Sequence, residues 1–284
     1  MKTILFSADF TESTTLALDW AKLFARHYKA TLVLLHVQQI PMANTTLPMS
    51  GDVGMGAYNA GLTAELEPID RERLDKLATQ LRAEGLTCET ELRWGAVTDA
   101  IVTAADDLHA DLIITGRSHL GNFFERFVGT EATGVARRAH CPVLVVPTTG
   151  TGVARLRTIL FSTPLEFDQP AEFTQVVAMA RAFGATLSVL HIHAENQPSI
   201  ADKPTMIAQL QALYGDQPLA VSSLDSRTVT GGFETYLKTN QPDLLVMTNR
   251  ERDFLSGLLN PSLTERMVVL TDIPILVYHA QGDL

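Results

Sequence analysis

Cysteine is almost missing. Cys88 and Cys141 are the only two, and no CxxC or metal-ligand spacing joins them to other residues. A disulfide framework is excluded, and two buried free thiols are expected. No apolar run approaches the ~20 residues that a membrane-spanning helix needs, so no membrane segment is expected. The opening MKTILFSADF has one lysine and a short apolar run that ends in aspartate, without the longer stretch and small-residue cleavage site of a signal peptide. Residence in the cytoplasm is the resulting expectation. Basic residues are in deficit: 22 Lys and Arg stand against 32 Asp and Glu, a formal charge of -10, with no basic arm or stripe. Such a surface repels phosphate backbones, which argues against nucleic acid as a partner. A GxxxxGK[ST] sequence is absent, which excludes a P-loop NTPase. No catalytic triad or pair of positioned carboxylates is written in a local pattern. The adjacent Asp106 and Asp107 point to different sides of a helix and read as surface charge.

What is present is a repeat. KTILFSADF at 2–10 returns as RTILFSTPL at 157–165, and ATLVLLHV at 30–37 returns as ATLSVLHI at 185–192, both at one offset. ADLIITGRS at 110–118 pairs with PDLLVMTNR at 242–250, and CPVLVVP at 141–147 pairs with IPILVYH at 273–279, both at a second offset. The copies therefore differ in length only in their middles. The surplus of the first copy falls at Pro41–Leu62, rich in Gly, Asn, Thr and Met without sustained period, which reads as a mobile surface loop. TTGTGVAR at 148–155 has linker composition. With 284 residues, the chain divides into two expected domains, 1–147 and 155–280.

Within each copy, short Val/Ile/Leu runs alternate with segments of helical period. Leu16, Trp20, Leu23, Phe24 and Tyr28 recur three or four apart and predict one amphipathic helix, with Ser13 or Thr11 as its cap. A second helix, carrying Leu74, Leu77 and Leu81, is expected to start at a Thr63 cap and stop near Gly85. Apolar runs such as LIIT and VLVV need cover on both faces, which implies a parallel sheet clad by helices. Right-handed crossovers make it an open, doubly wound α/β sheet of five strands per copy. Its ligand crevice lies at the strand carboxyl ends where the winding reverses. His36 and His191 recur at equivalent strand ends and suggest a shared packing or hydrogen-bonding role; neither has a partner at metal-ligand spacing.

The stretch GRSHLGNFFERFVGT, Gly116 to Thr130, joins a buried strand to a helix. Gly116 lets the backbone turn, while Gly129 and the Thr130 hydroxyl stand where a helix N-terminus attracts an anion. Arg117 and Arg126 read either as phosphate neutralisers or as solvated loop charges, and His119 as solvent-facing or in contact with a phosphate.

With this turn followed by a helix and the Pro-introduced strand CPVLVVP, both halves resemble universal stress protein domains, and the chain resembles a tandem member of that family. In the ATP-binding branch of the family the turn reads G-x2-G-x9-G-[ST]. Gly116, Gly129 and Thr130 match, whereas His119 replaces the middle glycine. The resemblance implies a central first strand, the order 3-2-1-4-5 and pairing of the last strands of the two halves into an internal pseudo-dimer. It implies that Asp9 holds a ribose, that Val37 lies near an adenine, and that Thr115 stands where strand meets turn; Ala8 and Glu131 flank these matches and complete the expected set. The implied ligand is ATP, ADP or AMP, with magnesium as an optional companion for which the sequence supplies no recognised ligand.

In the second copy Pro164 replaces Asp9, Thr248 replaces Gly116, Glu251 replaces His119 and Pro261 replaces Gly129, leaving Ser262 opposite Thr130. Proline has no N–H and glutamate repels phosphate, so a nucleotide site is expected in the first half and none in the second. The resulting reading is a stress-response regulator in which nucleotide orders the 117–128 segment for an unidentified protein partner. A nucleotide-free interaction scaffold and a slow ATP hydrolase using Thr130 and His119 are the competing readings. Association of two chains into a homodimer is left open.

Overall fold

The computed structural model describes residues 1–11, 14–39, 52–117, 131–149, 153–163, 170–195, 203–249 and 272–279, and of 52–63 the backbone alone. The first half runs β1 (Thr3–Ser7), α1 (Thr15–Tyr28), β2 (Thr31–Gln38), α2 (Asp52–Ala83), β3 (Cys88–Trp94), α3 (Val97–Asp107), β4 (Leu112–Arg117), α4 (Glu131–Arg138) and β5 (Val143–Pro147). The second runs β6 (Thr158–Ser162), α5 (Pro170–Phe183), β7 (Thr186–Ala194), α6 (Lys203–Tyr214), β8 (Ala220–Ser226), α7 (Val229–Thr239), β9 (Leu244–Asn249) and β10 (Ile275–His279).

The ten strands form one sheet in the order β3-β2-β1-β4-β5-β10-β9-β6-β7-β8, which is 3-2-1-4-5 in each half joined through the last strands. Every pairing within a half is parallel. The seam between β5 and β10 is antiparallel, with Leu144 opposite Leu276. This is the internal pseudo-dimer that the resemblance implied.

Alternation along the strands distributes side chains to two cores, as a period of two requires. Ile4, Phe6, Leu32 and Leu34 face α1 and α2, whereas Leu5, Val33 and Leu35 face α3 and α4. The first of these cores is continuous across the seam. Phe24 of α1 meets Phe183 of α5 at a ring-centroid distance of 5.2 Å, and His27 stacks on the same ring at 4.0 Å. The halves therefore share apolar burial as well as strand pairing. A second tie repeats in both: Asp111 accepts from the backbone N–H of Thr3 at 2.9 Å, and Asp243 does the same for Thr158 at 2.9 Å. That clamp explains the aspartate common to ADL and PDL. Cys88 is buried and Cys141 partly so; burial pushes the Cys141 thiol up to about 12.

Two expected boundaries differ. Helix α2 begins at Asp52, so Thr63 lies inside it and residues 52–62 are helical; the rest of the expected loop lies outside the described residues. Glycine and asparagine disfavour helix locally, but a segment continuing an existing helix needs propagation alone and avoids the costly nucleus. Helix α1 starts at Thr15, and its N-cap Thr14 makes no side-chain capping bond. Thr11 instead serves Asp9, as described below, and Ser13 lies outside the described residues. Among the described residues, no helix is long and apolar enough to cross a membrane.

Candidate functional site

Strands β1 and β4 are neighbours, yet β1 leads through α1 to β2 on one side and β4 leads to β5 on the other. The winding reverses between them, and in a doubly wound sheet the carboxyl ends at such a point are where a ligand crevice is expected. Ser7 is opposite Thr115 in the register, so Ala8 and Asp9 emerge beside Thr115 and Gly116. Ala8 is buried and prolongs the ladder, its N–H donating to Leu35 O at 2.8 Å. Asp9 then turns the chain: its Oδ1 accepts from the Thr11 N–H at 2.8 Å and the Thr11 Oγ1–H at 2.7 Å. Thr115 is buried, its hydroxyl donating to Gly116 O at 3.3 Å, and Gly116 lies opposite Val146. Val37, near the end of β2, is half-buried against the α3 and α4 side.

Glu131 opens α4 across the crevice. Gln39, just beyond β2, donates from Nε2 to its Oε1 at 2.9 Å, so a polar bridge joins the β2 end to the start of α4. Partial burial holds the Glu131 carboxyl above the usual carboxylate range; the Asp9 charge pushes the same way and the Gln39 bond opposes both. The fold thus brings Ala8, Asp9, Val37, Thr115, Gly116 and Glu131 to the carboxyl-end side of the sheet near β1, β2 and β4. His119, Gly129, Thr130 and Arg126 lie outside the described residues.

The raised Glu131 group carries a linkage consequence. A carboxyl bound more tightly to its proton in the folded state contributes stability below the ordinary glutamate range, and this is lost as pH rises through the folded value. Glu131→Gln is therefore expected to melt above the wild type at pH 7 and to approach it at about pH 3, below the ordinary glutamate value, where the carboxyl is protonated in both folded and unfolded states. Thermal melts across that range check this, and an equal offset at both pH values would contradict it.

Arg117 is buried rather than a solvated loop charge, with Nη2 3.7 Å from Asp272 Oδ1. Thr149 donates to the same oxygen at 2.8 Å, so residues beside both glycine turn and linker are tied to the second half. Local sequence carries no sign of this pairing.

The repeated histidines do share a role, as their recurrence suggested. His36 Nδ1 lies 2.7 Å from Ala8 O, and His191 Nδ1 lies 3.2 Å from Thr163 O at the equivalent strand end. Asp70 is absent from the expected set, although its place four residues before Leu74 puts an acid on the apolar face of α2. In the second half the crevice positions are occupied by Thr163 and Thr248; Pro164, Glu251, Pro261 and Ser262 lie outside the described residues.

Two doubly wound α/β halves, joined edge to edge into one sheet, with Asp9 after the first strand of one half where the other has Pro164, define the class of this protein. The model of the universal stress protein family matches residues 1–147 and 168–279, and the chain belongs to that family. A universal stress protein of Mycobacterium tuberculosis is 21% identical over 287 residues, covering 96% of this chain and 95% of the relative. A shorter one of Thermus aquaticus is 30% identical over 146 residues, 51% of this chain and 98% of the relative. A solved universal stress protein from Archaeoglobus fulgidus has the same fold, with a TM-score of 0.71 over 99% of this chain and 97% of its own at 16% identity.

Proposed function

We propose that the first half binds an adenine nucleotide, ATP or its ADP and AMP relatives, and that the chain acts as a ligand-dependent regulator of a stress response in the cytoplasm. The observation that carries this reading is the convergence of the Ala8–Asp9 and Thr115–Gly116 strand ends at the point where the winding reverses. The residues suit the ligand. Asp9 offers a carboxylate to ribose hydroxyls, Val37 an apolar edge to the base, and Gly116 a backbone without Cβ on the path toward the phosphates. Magnesium would arrive with those phosphates. Among the described residues, no group of three or more His, Cys, Asp or Glu is arranged to hold a metal.

A nucleotide-free scaffold is favoured by two features: Glu131 adds a second carboxyl within electrostatic range of Asp9, and Arg117 is engaged by Asp272. Both deprive a phosphate of positive surroundings. Calorimetric titration with ATP, ADP and AMP, with and without magnesium, decides between the readings. Saturation near one nucleotide per chain, lost in a folded Gly129→Pro variant that copies the second half, is the expected result. Absence of heat and of competition among adenine nucleotides would give the scaffold reading the lead.

A further inference from the structure

An acid is buried beneath the crevice. Asp70, on α2, is 4% exposed, and its Oδ2 has no hydrogen-bond partner; the imidazole Nε2 of His36 lies 3.8 Å away. The other ring nitrogen of His36 is 2.7 Å from Ala8 O. A carbonyl oxygen only accepts, so Nδ1 carries a hydrogen and donates it, which turns Nε2 toward the carboxylate. Asp70 thus lies beside an imidazole whose other nitrogen holds the peptide joining Ala8 to Asp9; only the second contact is a hydrogen bond, and the 3.8 Å approach to Asp70 attracts when Nε2 also carries a proton.

The imidazole is held from other sides too. Phe10 packs on it at 4.7 Å between ring centroids, and the Phe10 backbone takes the left-handed region at φ 57 to do so. Arg73, one turn along α2 from Asp70, lies 5.9 Å over the Phe10 ring and places Nη1 3.5 Å from Asp70 Oδ1. Residues 8, 9 and 10 are therefore each fixed by a different contact: carbonyl to imidazole, carboxylate to Thr11, ring to imidazole.

Stability alone is a poor reason for this arrangement, because an apolar side chain at position 70 would avoid the desolvation of a buried carboxylate. The second half supplies the contrast. His191 approaches Thr163 O at the longer distance of 3.2 Å, and α6, Lys203–Tyr214, contains no acidic residue. The acid stands behind the histidine in the half whose first strand ends in Asp9, where the other half has Pro164.

We infer that Asp70 and His36 are positioning residues for the ligand edge of the first half, setting the Ala8 carbonyl and through it the Asp9 carboxylate, so that they determine discrimination for ribose hydroxyls. The inference rests on the nucleotide reading above. It adds α2 to the site without giving either side chain contact with the ligand.

The test uses the full chain, titrated calorimetrically with ATP, 2'-deoxy-ATP and 3'-deoxy-ATP, in the wild type and in Asp70→Asn, His36→Phe and His36→Asn. Amide hydrogen exchange at Ala8 and Thr11 is followed in parallel without nucleotide. His36→Phe is expected to lose about tenfold in ATP affinity, the worth of a well-placed hydrogen bond, Asp70→Asn to lose less because it removes only the charge beside the ring, and both to bring the deoxy analogues closer to ATP. His36→Asn keeps a donor at the δ position and is expected to recover most of the discrimination. Exchange at Thr11 is expected to accelerate in the first two variants while Val33, inside β2, stays protected. Unchanged discrimination in variants that bind ATP would overturn the inference whatever the exchange shows. Should the wild type bind no nucleotide, the nucleotide reading and the ribose assignment fall together. In that case faster Thr11 exchange supports the positioning role by itself, and unchanged exchange removes it.

Discussion

Asp9→Ala is expected to weaken ATP binding by roughly 10- to 150-fold, the range for losing hydrogen bonds to a charged group. Two losses combine in this variant. The carboxylate is removed as a ribose acceptor, and the turn that its Oδ1 makes with the Thr11 N–H and hydroxyl is removed with it. Asp9→Asn separates them, because its amide oxygen still accepts from Thr11 while the charge is gone; an intermediate affinity is expected. Because Asp9 follows β1 and contributes no side chain to either core, the melting temperature should change little. Titration beside a thermal melt measures both quantities. Wild-type affinity in Asp9→Ala would remove this residue from the site and, with it, the main chemical difference between the two halves.

The second large effect is on the shared core. Phe24→Ala is expected to destabilise the protein by about 3–5 kcal/mol, the usual range for emptying a buried phenylalanine site. Phe24 is fully buried and packs on Trp20 and Tyr28 within α1 and on Phe183 across the seam. Its cavity would open between the halves. Since the α1 and α2 core continues into α5 and α6, and β5 pairs with β10, unfolding is expected as one transition that moves as a whole to lower denaturant. Denaturation followed by a probe in each half checks this. Two transitions, of which only the first-half one shifts, would show that the seam transmits little of the stability.

Much of the candidate site is legible in the sequence because the repeat supplies an internal control. Aligning the copies sets Asp9 against Pro164 and Gly116 against Thr248, and so singles out crevice positions without any coordinates. The bridge from Gln39 to Glu131 was illegible. Its partners are 92 residues apart, and a glutamine after one strand and a glutamate opening a helix are each unremarkable alone. Arg117 was equally illegible: its burial and its ion pair with Asp272 depend on an acid far along the chain, in the other half.

Taken by itself, the sequence determined the alternation of strands and helices, the tandem repeat and the asymmetry between the copies. Those properties are written in residue periods of two and 3.6 and in residue identities at matched positions, which are short-range and additive. The tertiary structure alone decided that the seam is antiparallel, that α2 reaches back to Asp52, and that Asp70 meets His36 above Ala8. These depend on which groups, distant along the chain, are brought within a few ångströms when the sheet closes around its cores. Hydrogen bonds and ion pairs are set by that distance and by burial, and neither quantity is a local property of the sequence.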